Sequence, residues 1–181
     1  MLPKLIPVFI ALIAISCSKT CGDVQREVRS MMGVNYKKQI VFPEEMEIIN
    51  PAADPAGLSS AKRYKIVHFF TADCNECINE LAYIQSFLET NPATEVIDLI
   101  FIASGPTKYY VAEAVEKIKF SYPTFYEKQY FSFKLLNNLP LDQDVYNTMI
   151  LNDKNEVLLF GSYFSNQKAK KLFSEILKCG F

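Results

Sequence analysis

Several sequence features that would indicate a function directly are weak or absent in this chain. Its 19 lysine and arginine residues nearly balance 20 aspartate and glutamate residues, and neither sign forms a long block. Nothing in this charge pattern indicates nucleic acid as a partner. The chain also lacks internal repeats and low-complexity stretches. Its 181 residues, half of them hydrophobic, instead predict one compact domain with a short appendage.

The N-terminus lacks an apolar run long enough to be a permanent membrane span. Residues 5–15 are uncharged, whereas a membrane-crossing helix needs roughly 20 such residues. With Lys4 ahead of the run and Cys17 behind it, residues 1–16 are predicted to be a signal peptide, the alternative being an uncleaved anchor. The segment AISC at residues 14–17 resembles the bacterial lipobox, which implies export, lipidation of Cys17 and membrane attachment through that lipid.

Five cysteines are present, and export would place them where disulfides persist. With Cys17 assigned to the lipid, only Cys74 and Cys77 stand close enough in sequence to suggest a functional pair. Cys21 and Cys179 lie near opposite ends of the mature chain and could pair, since domain termini are often close together. We nevertheless expect these two cysteines to be free thiols.

Hydrophobic periodicity predicts alternating strands and helices after an N-terminal helix at 23–32, extended pieces at 39–49 and a loop at 50–60. The predicted strands are 65–71, 96–103, 124–126, 148–152 and 157–163, and the predicted helices are 77–88, 109–120, 131–136 and 167–178. The last two strands form an antiparallel hairpin around the polar turn 153–155. The fold class is therefore α/β, a mixed central sheet covered by helices on both faces. We divide the mature chain into an N-terminal tether with a helix and strand extension (17–60) and a main domain (61–181).

The pair Cys74 and Cys77 falls where a buried strand gives way to a helix. Unpaired backbone N–H groups and the helix dipole stabilise a thiolate at such a position, which lowers the pKa of the thiol from about 8.5. Two intervening residues allow the second thiol to reach the first and resolve a mixed disulfide. The spacing therefore predicts thiol–disulfide exchange, with Cys74 as the attacking sulfur.

The segment IVHFFTADCNECINEL at residues 66–81 resembles the active-site segment of thioredoxin-like proteins. It is similar to the membrane-tethered oxidoreductases that handle disulfides in the bacterial envelope, which share a glutamate three residues after the CxxC, here Glu80. The N-terminus is similar to that of exported lipoproteins of the Bacteroidetes type. The resemblance implies a thioredoxin-like three-layer sandwich over 64–178 and protein thiols and disulfides of the cell envelope or periplasm as partners, without a cofactor.

The chain departs from this family before the hairpin. Thioredoxin-like proteins place a cis-proline there, packed against the cysteine pair, and this position matches Asn147, followed by Thr148. The resemblance implies a substrate groove at these two residues. A cis bond without proline costs about 2.5–4 kcal/mol, so we expect Asn147 to be trans.

A second departure is the acidic surroundings of the first cysteine. Asp73 and Glu76 stand beside Cys74, where the family often has glycine and proline between the cysteines. Carboxylates oppose thiolate formation, which should raise the pKa of Cys74 and favour a reductant over an oxidant.

The chain has a single histidine, His68, at the position that matches the buried acid of thioredoxins. A neutral imidazole there could exchange a proton with Cys77, the alternative being a structural histidine on a strand face. Glu80 is the second proton-handling candidate, the alternative being a solvated helix residue. No metal is expected, because Cys74 and Cys77 lack the second pair of ligands of a structural zinc site.

The sequence is compatible with two functions. One is an envelope thiol–disulfide oxidoreductase, and the other is a binding or scaffolding lipoprotein on a thioredoxin shell that lost turnover. A peroxiredoxin-like peroxidase is disfavoured, because the sequence lacks the threonine-rich peroxidatic loop of that family.

Overall fold

The computed structural model describes residues 19–49, 62–92 and 95–181. The expected signal peptide and the lipidation candidate Cys17 lie outside the described residues. Six strands form one mixed sheet in the order β1-β4-β3-β2-β5-β6. These strands are β1 (Met46–Ile48), β2 (Tyr64–Thr71), β3 (Ile97–Ser104), β4 (Thr124–Glu127), β5 (Thr148–Asn152) and β6 (Val157–Phe160).

Parallel pairing at the centre and antiparallel pairing at the edges give the sheet its mixed character. β2 pairs in parallel with β3, and β3 with β4, whereas β5 lies antiparallel to both β2 and β6. The hairpin predicted around 153–155 is confirmed. β1 pairs antiparallel with β4, so part of the region predicted as an extension is an edge strand of the same sheet.

Five helices accompany the sheet: α1 (Cys21–Met32), α2 (Asn75–Thr90), α3 (Lys108–Lys117), α4 (Ser132–Leu136) and α5 (Gln167–Cys179). α1 begins with a capping box between Thr20 and Asp23 and ends at Gly33, whose φ of 52° suits glycine. Among these elements, no helix is both long and apolar enough to cross a membrane.

Helices pack on both faces of β2, as the sequence predicted. Side chains alternate between the faces of a strand, so Tyr64 and Phe69 point to opposite sides. The Tyr64 ring packs edge-on against Phe173 of α5, at 5.8 Å between centroids, and the Phe69 ring stacks on Phe133 of α4, at 6.3 Å. The three-layer α/β arrangement therefore has its core on both sides of the central strands.

The ends of the described chain are joined by a disulfide between Cys21 and Cys179, whose Cα atoms lie 5.4 Å apart. The expectation of two free thiols is wrong. The buried side chains Val24 and Val28 hold α1 in the core, where α1 packs along α5. This packing brings the first residue of α1 to the last residue of α5, which no local sequence pattern reports.

Candidate active site

The predicted cysteine pair lies at the carboxyl end of β2 and the start of α2. Cys74 is the N-cap of α2, with extended backbone, and its Sγ accepts a hydrogen bond from the backbone N–H of Cys77 at 3.2 Å. Cys74 and Cys77 are joined as a disulfide, with 5.2 Å between their Cα atoms. The Cys74 sulfur therefore occupies the place where a helix N-terminus stabilises negative charge.

Polar groups of different character surround the two sulfurs. The Thr71 hydroxyl at the end of β2 donates to Cys77 Sγ at 3.6 Å. Glu76 Oε2 lies 3.9 Å from Cys74 Sγ. Cys74 is thus favoured as a thiolate by a backbone N–H and opposed by a carboxylate, whereas Cys77 contacts a neutral hydroxyl.

His68 is buried in the centre of β2, between β3 and β5. Its Nδ1 pairs with the Thr148 hydroxyl at 2.9 Å, and Nε2 has no hydrogen-bond partner. The rings of Phe70, Phe101 and Phe164 surround the imidazole. Burial lowers the pKa of His68 to about 3, so the imidazole is neutral at physiological pH.

Glu80 lies one turn beyond Cys77 on α2 and is half-buried. Desolvation, with a further contribution from the negative charge of Asp144, raises the pKa of Glu80 above its ordinary value of 4.5. Asp144 belongs to a single 3₁₀ turn (Asp144–Tyr146) that leads into β5. Glu80 therefore faces the segment before β5, and it is less solvated than a surface glutamate.

The two groove candidates occupy different environments. No peptide bond of the described residues is cis, so Asn147 is trans as expected. The Asn147 carbonyl accepts from the backbone N–H of Phe69 at 2.7 Å, which places Asn147 beside β2, two residues before Thr71. Thr148 is buried with its hydroxyl turned to His68, so its side chain does not line an open groove.

Tyr130 reaches the site from the loop after β4. Its hydroxyl donates to Asp73 Oδ2 at 2.8 Å, next to Cys74, while its side chain remains 39% exposed. Desolvation and this hydrogen bond raise the pKa of Tyr130 to about 12. Tyr130 is not among the site residues predicted from the sequence. The sequence signal that could have identified Tyr130 is its position just after a parallel strand. The carboxyl ends of parallel strands meet at one edge of the sheet, where the cysteine pair also lies.

The turn that carries Tyr130 is internally braced. Phe131 adopts a left-handed conformation with φ of 58°, which costs an aromatic residue about 1–3 kcal/mol, and its N–H donates to the Ser104 hydroxyl at 3.1 Å. The buried carboxylate of Glu127 accepts from the Phe133 N–H at 2.7 Å and from the Ser132 hydroxyl at 2.9 Å. Burial raises the pKa of Glu127.

A cavity of about 180 Å³ opens between α2 and α3 beside the motif. Asn75, Ile78, Tyr110, Glu113 and Lys117 are among its lining residues. Within the described ranges, no group of three or more histidine, cysteine or acidic side chains is arranged to hold a metal ion. The chemistry supported by these side chains is that of the two sulfurs and nearby proton donors and acceptors.

No protein-family model matches the chain, and no curated protein matches it. Solved structures do match. A candidate protein disulfide isomerase from Bacteroides thetaiotaomicron is 12% identical and superposes with a TM-score of 0.54, over 81% of this chain and 91% of that chain. A thioredoxin-like protein solved in its oxidised form is 9% identical, with a TM-score of 0.56 over 81% and 99% of the two chains. The fold is thioredoxin-like.

A third thioredoxin-like neighbour is a candidate thiol:disulfide interchange protein DsbE from Chlorobium tepidum. It is 9% identical, with a TM-score of 0.54 over 80% of this chain and 98% of that chain. At such identities the matches establish architecture, and they confirm the predicted thioredoxin-like α/β class.

Proposed function

We propose that this protein is an exported thiol–disulfide oxidoreductase that acts through Cys74 and Cys77. The observation that carries the proposal is the capping of α2 by the Cys74 sulfur, in a pair already joined as a disulfide. The structural neighbours named for disulfide exchange support it by analogy of fold.

The reduced site would act in two steps. The Cys74 thiolate attacks one sulfur of a substrate disulfide, which breaks that bond and releases one substrate thiolate, protonated from solvent. A mixed disulfide then joins Cys74 to the substrate. Cys77 loses its proton and attacks Cys74 Sγ, which releases the second substrate thiolate. Two electrons pass to the substrate, and the site is left as the Cys74–Cys77 disulfide.

We assign Glu80 as the base for the Cys77 proton, because it lies one turn beyond Cys77 on α2 and is half-buried. Its raised pKa moves its titration toward neutral pH, which suits proton transfer. His68 is the second candidate, but its pKa of about 3 makes it a poor acceptor. The contact between His68 and Thr148 favours a role for the histidine in joining β2 to β5 beneath the site.

We also propose a direction of electron flow and a cellular location. Asp73 and Glu76 flank Cys74 and oppose its thiolate, which favours the disulfide state of the enzyme and the role of reductant. The predicted signal peptide and the lipobox-like segment support attachment to the cell envelope through a lipid on Cys17. Protein thiols and disulfides of the envelope are the proposed substrates, and no cofactor is required.

A redox titration of the Cys74–Cys77 pair tests the proposal. We expect reversible exchange with a midpoint within about −120 to −270 mV, the range of known exchange catalysts, and in its more reducing half. Because the Cys21–Cys179 disulfide also responds to reductant, the two pairs are followed separately by mass after alkylation and digestion. A Cys74–Cys77 pair that stays closed below about −300 mV would favour the alternative of a non-catalytic binding or scaffolding lipoprotein.

Replacing Glu80 with glutamine is expected to slow reduction of a model protein disulfide by about 10²-fold at neutral pH, because Cys77 loses its proton acceptor. The same change should raise stability at neutral pH. A glutamate whose pKa is raised in the folded state favours folding below its ordinary value of 4.5, and that contribution is lost as pH rises through its folded pKa. Stopped-flow kinetics and urea unfolding across pH measure the two effects.

The matched control is Glu89→Gln, which changes an exposed glutamate near the other end of α2, where it accepts a hydrogen bond from Gln85. This control should alter neither the rate nor the pH dependence of stability. Equal rates in the Glu80 and Glu89 variants would remove Glu80 from the mechanism.

A further inference from the structure

The loop after β4 places a protonated phenol against the residue that precedes the attacking cysteine. Tyr130 donates to Asp73 Oδ2 at 2.8 Å, although the two residues come from different strand ends of the sheet. This contact is a directed hydrogen bond between side chains that are both partly exposed. Its position beside Cys74 links it to the chemistry of the sulfur.

The turn that presents Tyr130 is held by contacts that do not involve the cysteines. Phe131 adopts its unfavourable left-handed conformation with its N–H bonded to Ser104, and its ring lies 5.9 Å from that of Phe69. The buried Glu127 carboxylate fixes the following residues through the Phe133 N–H. A strained and over-determined turn near a reactive group is evidence for a positioning role. The geometry of Tyr130 is therefore set by the fold before any substrate arrives.

Asp73 is the group on which this phenol acts. A carboxylate next to Cys74 disfavours the thiolate, as does Glu76, whose Oε2 is 3.9 Å from the sulfur. The hydrogen bond that Tyr130 donates to the Asp73 carboxylate keeps this carboxylate turned toward Tyr130. The same bond disperses part of the negative charge of the carboxylate. The titratable groups described around this corner are Asp73, Glu76, Tyr110, Glu113, Lys117, Tyr126 and Tyr130.

We infer that Tyr130 is a positioning residue of the dithiol site, which holds the Asp73 carboxylate and thereby preserves the Cys74 thiolate that the acidic neighbours oppose. The inference rests on the proposed role of Cys74 as the attacking thiol. Tyr130 transfers no proton in this scheme, because its pKa of about 12 keeps it protonated at physiological pH. Tyr130 acts by changing the fraction of Cys74 that is present as the reactive thiolate.

The test is a double-mutant cycle in the full chain carrying Cys77→Ser, which leaves Cys74 free. The rate of Cys74 alkylation by iodoacetamide is measured against pH, with the Cys74 peptide followed by mass. Tyr130→Phe is expected to move the midpoint to higher pH and to slow alkylation at pH 7 about 3- to 10-fold, because the freed carboxylate opposes the thiolate more strongly. Asp73→Asn should move the midpoint to lower pH.

The decisive comparison is Tyr130→Phe in the Asp73→Asn background, where it should have no further effect, because the group that Tyr130 holds no longer carries charge. An equal shift in both backgrounds, or none in either, would overturn the inference. The matched control is Tyr109→Phe, since Tyr109 is a neighbouring tyrosine with 87% of its surface exposed. It should leave the pH profile unchanged.

A second measurement tests the inference without Tyr130→Phe, in case that variant does not fold. In the chain with Asp73→Asn and Tyr130 intact, ultraviolet titration should show the Tyr130 phenol ionising at lower pH than in the parent, because it loses a charged acceptor. An unchanged phenol titration would contradict the inference. None of these readouts requires turnover. The coupling between Tyr130 and Asp73 can therefore be observed even if the redox titration contradicts the proposed function. Conversely, turnover can be observed even if this coupling is absent.

Discussion

A chain with Cys77→Ser is expected to accumulate as stable mixed disulfides with its substrate proteins, linked through Cys74. The attacking sulfur remains at the N-cap of α2, where the backbone N–H that it accepts belongs to residue 77 and survives the substitution. The serine hydroxyl cannot attack the mixed disulfide at a useful rate, so the intermediate does not resolve. Non-reducing electrophoresis after acid quenching, followed by mass spectrometry of the captured partners, measures this accumulation.

The matched control is Cys74→Ser, which retains Cys77. Cys77 contacts the Thr71 hydroxyl and lies within the first turn of α2 rather than at its N-cap, so it should capture at least 10-fold less substrate than Cys74 does. Turnover with a model protein disulfide should be lost in both single variants. Equal capture by the two variants, or capture by neither, would contradict the assignment of Cys74 as the nucleophile.

Removing the second disulfide with Cys21→Ser and Cys179→Ser is expected to lower the free energy of unfolding by about 3–5 kcal/mol. The bond joins residues 158 positions apart, so it restricts most of the described chain in the unfolded state. The thioredoxin-like fold should persist, because the buried side chains Val24 and Val28 still hold α1 in the core. Urea denaturation with and without the substitutions gives the difference.

The control for this prediction is the pair of substitutions Cys74→Ser and Cys77→Ser. These cysteines are separated by only three positions, so their bond closes a very small loop and should contribute about 2 kcal/mol or less. A larger loss from the Cys74–Cys77 variant than from the Cys21–Cys179 variant would show that loop size does not govern stability here.

Local patterns predicted the central part of the fold well. The strand predicted at 65–71 is Tyr64–Thr71, and the closing helix predicted at 167–178 is Gln167–Cys179. Uninterrupted apolar residues indicate a strand buried on both faces, and apolar positions spaced at three and four residues indicate a helix packed on a sheet. The helix predicted from 77 begins at Asn75, which leaves Cys74 as its N-cap and strengthens the argument for its reactivity.

Features that depend on distant pairing were not predictable in the same way. The edge strand β1 is three residues long and pairs with β4, and neither its length nor its composition distinguishes it from a loop. From its sequence position, His68 is either a proton carrier or a structural histidine on a strand face. Its desolvation, which lowers its pKa to about 3, results from rings on β2, β3 and the loop before α5.

The sequence alone specifies the order of the central elements, the hairpin, and the place of Cys74 and Cys77 between a buried strand and a helix. These properties follow from periodicity and spacing over a few residues. The Cys21–Cys179 disulfide and the Tyr130–Asp73 hydrogen bond depend on tertiary packing. Each of these contacts joins residues brought together by packing of the whole sheet and its helices, and such packing is a property of the complete core that no local segment specifies.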